Sequence, residues 1–179
     1  LSSREWHKGI VVTTNQDTIS GEIKYDFSSN MITLIKNESV IAFSSHKLMY
    51  FEIYDESYKS YREFYAIPHR NASNYLTPIL FELQFEGVLS LLSREKIVIE
   101  TSSVGYGYGV PVISQPTVRY DFYFLTKGGK LTQFSGSKRD LLTILAKKKN
   151  EIQSFIKGNR LKTDDLRDLV RIIAFYNSI

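Results

Sequence analysis

Residues 18–26 read Thr-Ile-Ser-Gly-Glu-Ile-Lys-Tyr-Asp and set the pattern for most of this chain. Apolar or small residues alternate strictly with polar ones along the stretch. A period of two places alternate side chains on opposite faces of a pleated strand. The run after Leu80 repeats the alternation, with Phe81, Leu83 and Phe85 on one side. A strand with one dry and one wet face is typical of an antiparallel sheet.

Short β-rich runs separated by turn residues continue at a spacing of roughly ten residues, which indicates a meander. Further strands are predicted over residues 10–14, 31–36, 40–44, 48–55, 61–67, 88–92, 97–101, 118–126 and 130–134. We expect Pro68 to end one strand, because proline cannot donate a hydrogen bond to a neighbouring strand. The polar run 94–96 is expected to turn.

A hairpin is predicted around Gly128-Gly129, because two glycines fit a two-residue turn. This turn places Lys127 opposite Lys130 and fixes which side chains share a face. The prediction puts one apolar set on each face of the hairpin: Phe122, Phe124 and Leu131 on one, and Tyr123, Leu125 and Phe134 on the other. Both faces then need cover, and the C-terminal segment is the candidate for the second.

Three helices are predicted after residue 136. Ser137 followed by Asp140 resembles a capping box. A second helix is expected to stop at Gly158, and Thr163 is expected to cap a third. Apolar residues recur at helical spacing in all three segments, as expected for core-facing stripes; they are Leu141, Leu142, Leu145, Ile152, Phe155, Ile156, Leu166, Leu169, Val170, Ile173 and Tyr176.

These patterns predict an α+β fold that is mainly β. We expect an antiparallel meander sheet, arranged as a roll, barrel or sandwich, followed by a C-terminal three-helix segment docked on the sheet. The corresponding division of the chain is a β-domain over residues 1–136 and a helical segment over residues 137–179, packed together rather than independent.

Composition narrows the classes of function. The chain contains no cysteine, which excludes disulfides and thiolate chemistry. No run of about 18 apolar residues is present, so no membrane-spanning helix is expected. Residues 137–179 carry ten basic against five acidic residues, a net charge of +5, whereas residues 1–136 carry 13 against 14. Weak binding of nucleic acid or anionic lipid through this basic tail is therefore one alternative. Nucleic acid is disfavoured, because the aromatic residues do not interleave with the basic ones.

Several short motifs resemble a group of exported proteins without assigned activity from Bacteroidota-type bacteria. The resembling residues are Lys8-Gly9 with Ile10-Val11-Val12, Ser20-Gly21-Glu22-Ile23-Lys24-Tyr25, Phe51-Glu52 to Asp55, Arg62-Glu63-Phe64-Tyr65 and Phe175-Tyr176-Asn177-Ser178. The resemblance implies export after loss of a signal peptide, and hence a periplasmic or outer-envelope location. It implies no enzymatic activity.

No catalytic residue, metal site or cofactor is predicted. The segment 105–109 alternates glycine with tyrosine but runs into Val110-Pro111 rather than a helix, so it is not a dinucleotide fingerprint. The three histidines show no metal-type spacing. A hydrolase with a carboxylate site assembled around Glu52, Asp55 and Arg62 remains an alternative. The simpler interpretation places these acids, together with Glu82, on a solvated face.

The best candidate for a binding site is the Gly/Tyr loop, residues 102–117, whose Tyr106 and Tyr108 are suited to contact a protein or a glycan. His69 and Arg70, on another predicted loop, are candidate neighbours. The leading hypothesis is therefore a non-catalytic, exported interaction or cell-envelope-associated module.

Overall fold

The structure is a computed structural model that describes residues 3–70, 73–103 and 112–179. Within these residues ten strands form one antiparallel sheet. The strands are β1 (His7–Thr13), β2 (Thr18–Asp26), β3 (Met31–Lys36), β4 (Ser39–Ser44), β5 (Leu48–Asp55), β6 (Ser60–Arg70), β7 (Leu76–Phe85), β8 (Leu89–Ser103), β9 (Val112–Thr126) and β10 (Leu131–Phe134).

The order of strands across the sheet is β10-β9-β8-β7-β6-β5-β1-β2-β3-β4. Neighbours in sequence are neighbours in the sheet except at one point, where β5 returns to pair with β1 rather than with β4. The edge strands β4 and β10 do not pair with each other, so the sheet is open. The predicted fold class, mainly β with antiparallel strands and C-terminal helices, is confirmed.

The N-terminal half of the sheet curls around its own hydrophobic cluster. Alternate residues of β1, β2, β3, β5 and β6 face this cluster, as the period of two predicts. Its buried members are Val11, Ile23, Tyr25, Phe27, Ile32, Leu34, Leu48, Phe51, Ile53, Phe64 and Leu80. Inside it, the rings of Phe51 and Phe64 stack with their centroids 4.5 Å apart.

Asn30 ties the β2–β3 turn to strand β7. Its side-chain amide donates to the Pro78 carbonyl at 3.1 Å, and its carbonyl oxygen accepts from the Leu80 amide at 3.0 Å. The Tyr25 hydroxyl adds a bond to the Leu80 carbonyl at 3.3 Å. This part of β7 has no partner in β8, whose pairing with β7 begins at Glu82. The two side chains therefore take the place of a missing strand.

The C-terminal segment forms α1 (Lys138–Ile144), α2 (Lys149–Asn159) and α3 (Leu166–Ser178), with a 3₁₀ turn at Ala146–Lys148. The helices share a cluster with β8, β9 and β10, so they dock on the sheet as predicted. Its buried members are Leu89, Leu91, Phe122, Phe124, Phe134, Leu141, Leu145, Ile152, Ile156, Leu161, Leu169, Ile172 and Ile173. The domain boundary at residue 136 stays a prediction.

The helix ends differ in part from the prediction. Ser137 caps α1 by accepting from the Asp140 amide, as expected. The α2 helix runs past Gly158 to Asn159, and the left-handed residue that ends it is Arg160. The cap of α3 is Asp165, whose carboxylate accepts from the Asp168 amide. Thr163 instead donates to the Gly136 carbonyl, so the prediction that it caps α3 is wrong.

The register of the β9–β10 hairpin is shifted by one residue from the prediction. Leu131 lies opposite Leu125, and the Thr126 amide donates to the Lys130 carbonyl, which leaves a three-residue loop. Gly129 has φ +79°, the left-handed residue that such loops require. A one-residue shift exchanges faces. Consequently Phe134 joins Phe122 and Phe124 beneath the helices, and Leu131 joins Tyr123 and Leu125 on the other face.

Two predicted breaks lie inside strands. Pro68 is opposite Pro78 in the β6–β7 pair. Pro68 lies beyond the residues of β6 that pair with β5, and Pro78 lies before the residues of β7 that pair with β8. The missing N–H groups therefore interrupt neither of those two ladders. Residues 94–96 continue β8, whose pairing with β9 runs without a break from Leu89 to Ser103. Arg94 is opposite Asp121, and Lys96 forms a diagonal salt bridge with the same carboxylate.

An irregularity in β7 separates side chains that the alternation puts together. The pairing of β7 with β8 shifts register between Leu83 and Phe85, as at a β-bulge. Phe81 and Leu83 belong to a third cluster with Leu92 and Tyr123. Phe85 packs instead against the cluster beneath the helices.

Candidate ligand-binding site

Four neighbouring strands bring charged side chains together on the face of the sheet that carries the two main clusters. Asp55 ends β5, Arg62 lies on β6, Glu82 on β7 and Glu95 on β8. Glu82 is opposite Phe64, a core residue, and so points inward with it. All three carboxylates are buried. We call these four residues the Arg62 cluster; it lies between the N-terminal hydrophobic cluster and the cluster beneath the helices.

The Arg62 guanidinium holds the cluster together. Its Nε and Nη2 donate to the two Glu82 carboxylate oxygens at 2.7 and 2.8 Å, and Nη2 also donates to Glu95 at 2.6 Å. Such a fork fits the planar carboxylate. Burial disfavours the charged guanidinium, but the hydrogen bonds and negative charges of Glu82 and Glu95 outweigh it and raise the pKa of Arg62. Arg62 therefore keeps its charge.

The other partners of the cluster come from the backbone and from a hydroxyl. Glu95 accepts from the Ser3 hydroxyl at 3.0 Å. One Asp55 oxygen accepts from the amides of Ser57 and Tyr58. The second Asp55 oxygen is buried, has no hydrogen-bond partner among the described residues and lies 3.9 Å from Arg62 Nη1. The sheet thus rigidly positions one guanidinium among three carboxylates.

A cleft of about 430 Å³ opens above Arg62 and Glu82. Its walls are aromatic: Tyr58, Tyr61 and Tyr120 expose 68%, 64% and 37% of their surfaces. The remaining lining residues are Ser60, Leu83, Gln84 and Leu166. We call this the tyrosine cleft. It combines exposed aromatic rings with a fixed floor of hydrogen-bond donors and acceptors.

Elements from three parts of the chain form the tyrosine cleft. Tyr58 belongs to the β5–β6 turn, Tyr120 to β9 and Leu166 to the first turn of α3. Burial, together with the charge of Glu95, raises the pKa of Tyr120, so this phenol stays neutral and able to donate. Because Leu166 of α3 lines the cleft, the shape of the cleft depends on the docking of the helices.

The structure does not bring His69 and Arg70 to this cleft. The His69 ring packs edge-on against Phe81 and Tyr123, with centroids 6.1 Å from each. Arg70 donates to the Asn74 carbonyl at the β6–β7 turn. Both lie at the end of strand β6 rather than on the predicted polar loop.

Tyr106 and Tyr108 of the Gly/Tyr loop lie outside the described residues. The flanking strands end at Ser103 and Val112, at the tip of the long β8–β9 hairpin. Tyr123, which contacts His69, is roughly 35 Å along β9 from Val112. His69 is therefore not a neighbour of the base of this loop.

The carboxylate group expected from the sequence is divided between the faces of the sheet. Glu52 and Asp55 are three positions apart on β5, so their side chains point to opposite faces. Glu52 lines a second, shallow groove with Glu56, Lys8 and Tyr61, and Tyr61 also lines the tyrosine cleft. Only Asp55 and Arg62 of the expected trio come together.

Glu82 and Glu95 were not recognised as site residues from the sequence. Alternation alone assigns Glu82 to a solvated face, and that prediction is wrong because this part of β7 is buried on both faces. One feature of the sequence points to the cluster: Arg62, Glu82 and Glu95 lie on successive strands, at positions that share a face with buried phenylalanines. Opposite charges on such a face are expected to pair.

Residues 3–70, 73–103 and 112–179 show no candidate of two further kinds, a cluster of metal ligands or a membrane-spanning helix. This part of the chain has no group of three or more histidines or acids placed to hold a metal ion. None of its helices has the length and apolar character needed to cross a membrane. A scan against protein-family models and searches of curated proteins and of solved structures find no match to this chain.

Proposed function

We propose that this protein is a non-catalytic binding module that recognises a carbohydrate in the tyrosine cleft. The observation that carries the proposal is the placement of three exposed tyrosines around a floor fixed by the Arg62–Glu82 fork. Aromatic rings offer flat apolar faces to a sugar ring, and their hydroxyls remain free to bond with its hydroxyl groups.

The polar floor suits recognition more than turnover. Both oxygens of Glu82 accept from Arg62, which holds the carboxylate in one orientation. The Gln84 amide is oriented by its bond to the Ser93 hydroxyl at 3.0 Å. A preorganised array of this kind binds hydroxyl groups without the entropic cost of ordering side chains.

Calorimetric titration with neutral oligosaccharides tests the proposal, with a glycan array used first to select the ligand. Tyr58→Ala and Tyr120→Ala are each expected to weaken binding roughly tenfold, the effect of losing one stacking contact. Tyr75→Ala is the matched control, because Tyr75 is 71% exposed and does not line the cleft. A protein that binds no glycan on the array, or binds equally well after both cleft substitutions, contradicts the proposal.

The Gly/Tyr loop is the alternative place for contact within the same proposal. Replacing Tyr106 and Tyr108 together by alanine separates the two sites. If the tyrosine cleft is the binding site, this double variant binds the selected oligosaccharide as the wild type does. Loss of binding in the double variant alone would move the site to the loop.

We also propose that the module acts outside the inner membrane. The support is the resemblance of motifs such as Ser20 to Tyr25 and Arg62 to Tyr65 to exported Bacteroidota-type proteins. Fractionation of the native host with an antibody against this chain tests it. Recovery in the periplasmic or outer-envelope fraction is expected, and recovery in the cytosol contradicts it.

A further inference from the structure

A second cleft, of about 670 Å³, lies between the β9–β10 hairpin and the helices. It is separate from the tyrosine cleft. Residues of both layers line it: Val88, Leu89, Phe124, Thr126, Lys127, Gly128, Lys130, Thr132, Thr143, Ile144, Ala146, Lys147 and Tyr176. We call it the lysine cleft.

The interior of the lysine cleft is apolar and preformed. Phe124 and Leu89 form its floor and belong to the cluster beneath the helices. Tyr176 is held in place by Lys148, whose ammonium lies 5.1 Å from the ring centroid and donates to the Tyr176 carbonyl at 3.1 Å. Ile144 of α1 packs against the same cluster. An apolar chain entering the cleft therefore meets a surface that does not need to rearrange.

The rim of the cleft is positively charged. Lys127 is the first residue of the hairpin loop, Lys130 follows the loop, and Lys147 projects from the 3₁₀ turn between α1 and α2. All three are exposed. No carboxylate lines the cleft, and within the described part of the chain none of these lysines forms a salt bridge. Three cations beside an apolar cavity favour a ligand with one charged end and one apolar end.

We propose that the lysine cleft binds a single-chain anionic amphiphile, such as a fatty acid. The acyl chain lies against Phe124, Leu89 and Tyr176, and the carboxylate lies among Lys127, Lys130 and Lys147. The volume of the cleft is within the range of small-molecule sites. This site goes beyond the proposed carbohydrate function and does not depend on it.

Titration of the full chain with octanoate, decanoate and laurate, each below its micelle concentration, tests whether the acyl chain binds in the apolar interior of the cleft. Affinity is expected to rise roughly fourfold for each added methylene. Dodecyl maltoside and dodecyltrimethylammonium carry the same chain with a neutral and a cationic head, and each is expected to bind at least roughly tenfold more weakly than laurate. An affinity that does not change with the length of the acyl chain, or with the charge of the head group, overturns the proposal.

Substitutions test the charged rim. The triple variant Lys127→Gln, Lys130→Gln, Lys147→Gln is expected to weaken laurate binding roughly tenfold or more. A matched variant that replaces the exposed Lys36, Lys157 and Lys162 by glutamine loses the same charge away from the cleft and should bind as the wild type does. Equal weakening in both variants, or none in the first, overturns the proposal.

A blocking variant and two other ligands complete the test. Thr143→Trp fills the cleft from an exposed position of α1 and is expected to abolish laurate binding, with circular dichroism confirming the fold. Binding to anionic vesicles without binding to monomeric laurate would assign the lysines to a membrane surface. Binding to polyglutamate alone would assign them to an acidic peptide. Either result overturns the proposal.

Discussion

Arg62 is the cation of the four-residue Arg62 cluster, and its removal is expected to destabilise the protein. Arg62→Met removes the guanidinium that pairs with the buried carboxylates of Glu82, Glu95 and Asp55. Breaking a buried ion pair on one side costs about 3–5 kcal/mol, so the free energy of unfolding in urea should fall by that amount. Arg62→Lys, which keeps the charge but loses the fork, is the control and should cost less. A methionine variant as stable as the wild type contradicts this account.

Tyr25 is expected to make stability fall at alkaline pH. Burial raises its pKa to about 12, although nearby Arg94 opposes the shift. The unfolded phenol ionises near pH 10. The neutral phenol of Tyr25 therefore contributes fully to the free energy of unfolding below pH 10. This contribution is lost as pH rises through 12, and the loss is on the order of 2–3 kcal/mol. The free energy of unfolding, measured between pH 9 and 12, should decline less steeply in Tyr25→Phe; an unchanged slope rules the effect out.

At the scale of single elements, the β9–β10 hairpin depends on one glycine. Gly129 has φ +79°, a conformation that costs an alanine about 1–2 kcal/mol. Gly129→Ala should therefore lower the free energy of unfolding by about that amount. Gly128→Ala is the matched control, because Gly128 has no positive φ and a Cβ there meets only the Thr126 hydroxyl, at 3.9 Å. Equal losses at both positions would show that the loop conformation is not the cause.

Most elements could be predicted from the sequence because alternation and helical spacing are local properties. Strand β5 was predicted with its full bounds, and the docked helices followed from the two apolar faces of the last hairpin. The register of that hairpin could not be predicted, because Gly128-Gly129 permits loops of two or three residues. The Arg62 cluster could not be predicted either. The meander predicts that β5 to β8 are neighbours, but the cluster also depends on the registers of β6, β7 and β8 and on the bulge near Leu83, and these are not visible in local sequence.

The ten-stranded sheet has a weak junction between β7 and β8. The two strands pair only between Glu82 and Phe85, with a shift in register. The N-terminal hydrophobic cluster lies on one side of this junction and the cluster beneath the helices on the other. The Arg62 cluster crosses it. Its ion pairs therefore couple the two halves.

This coupling predicts how the protein unfolds. Trp6, the single tryptophan, reports on the N-terminal half, and circular dichroism at 222 nm reports on the helices. In urea the two signals should follow one transition in the wild type, as for a two-state domain. In Arg62→Met they should separate. Coincident transitions in the variant, or separate ones in the wild type, contradict the role given to the cluster.

The bonds from Asn30 and Tyr25 to β7 bear on self-association. Backbone groups of an uncovered edge recruit an extended segment from another molecule, which is how many β-proteins begin to aggregate. Asn30→Ala removes the side chain that bonds the Leu80 amide and the Pro78 carbonyl, so these groups can pair with an extended segment of another molecule. Light scattering of Asn30→Ala should then increase with protein concentration while the wild type stays monodisperse. Asn30, whose left-handed backbone costs an asparagine little, is therefore expected to limit self-association as well as to hold the turn.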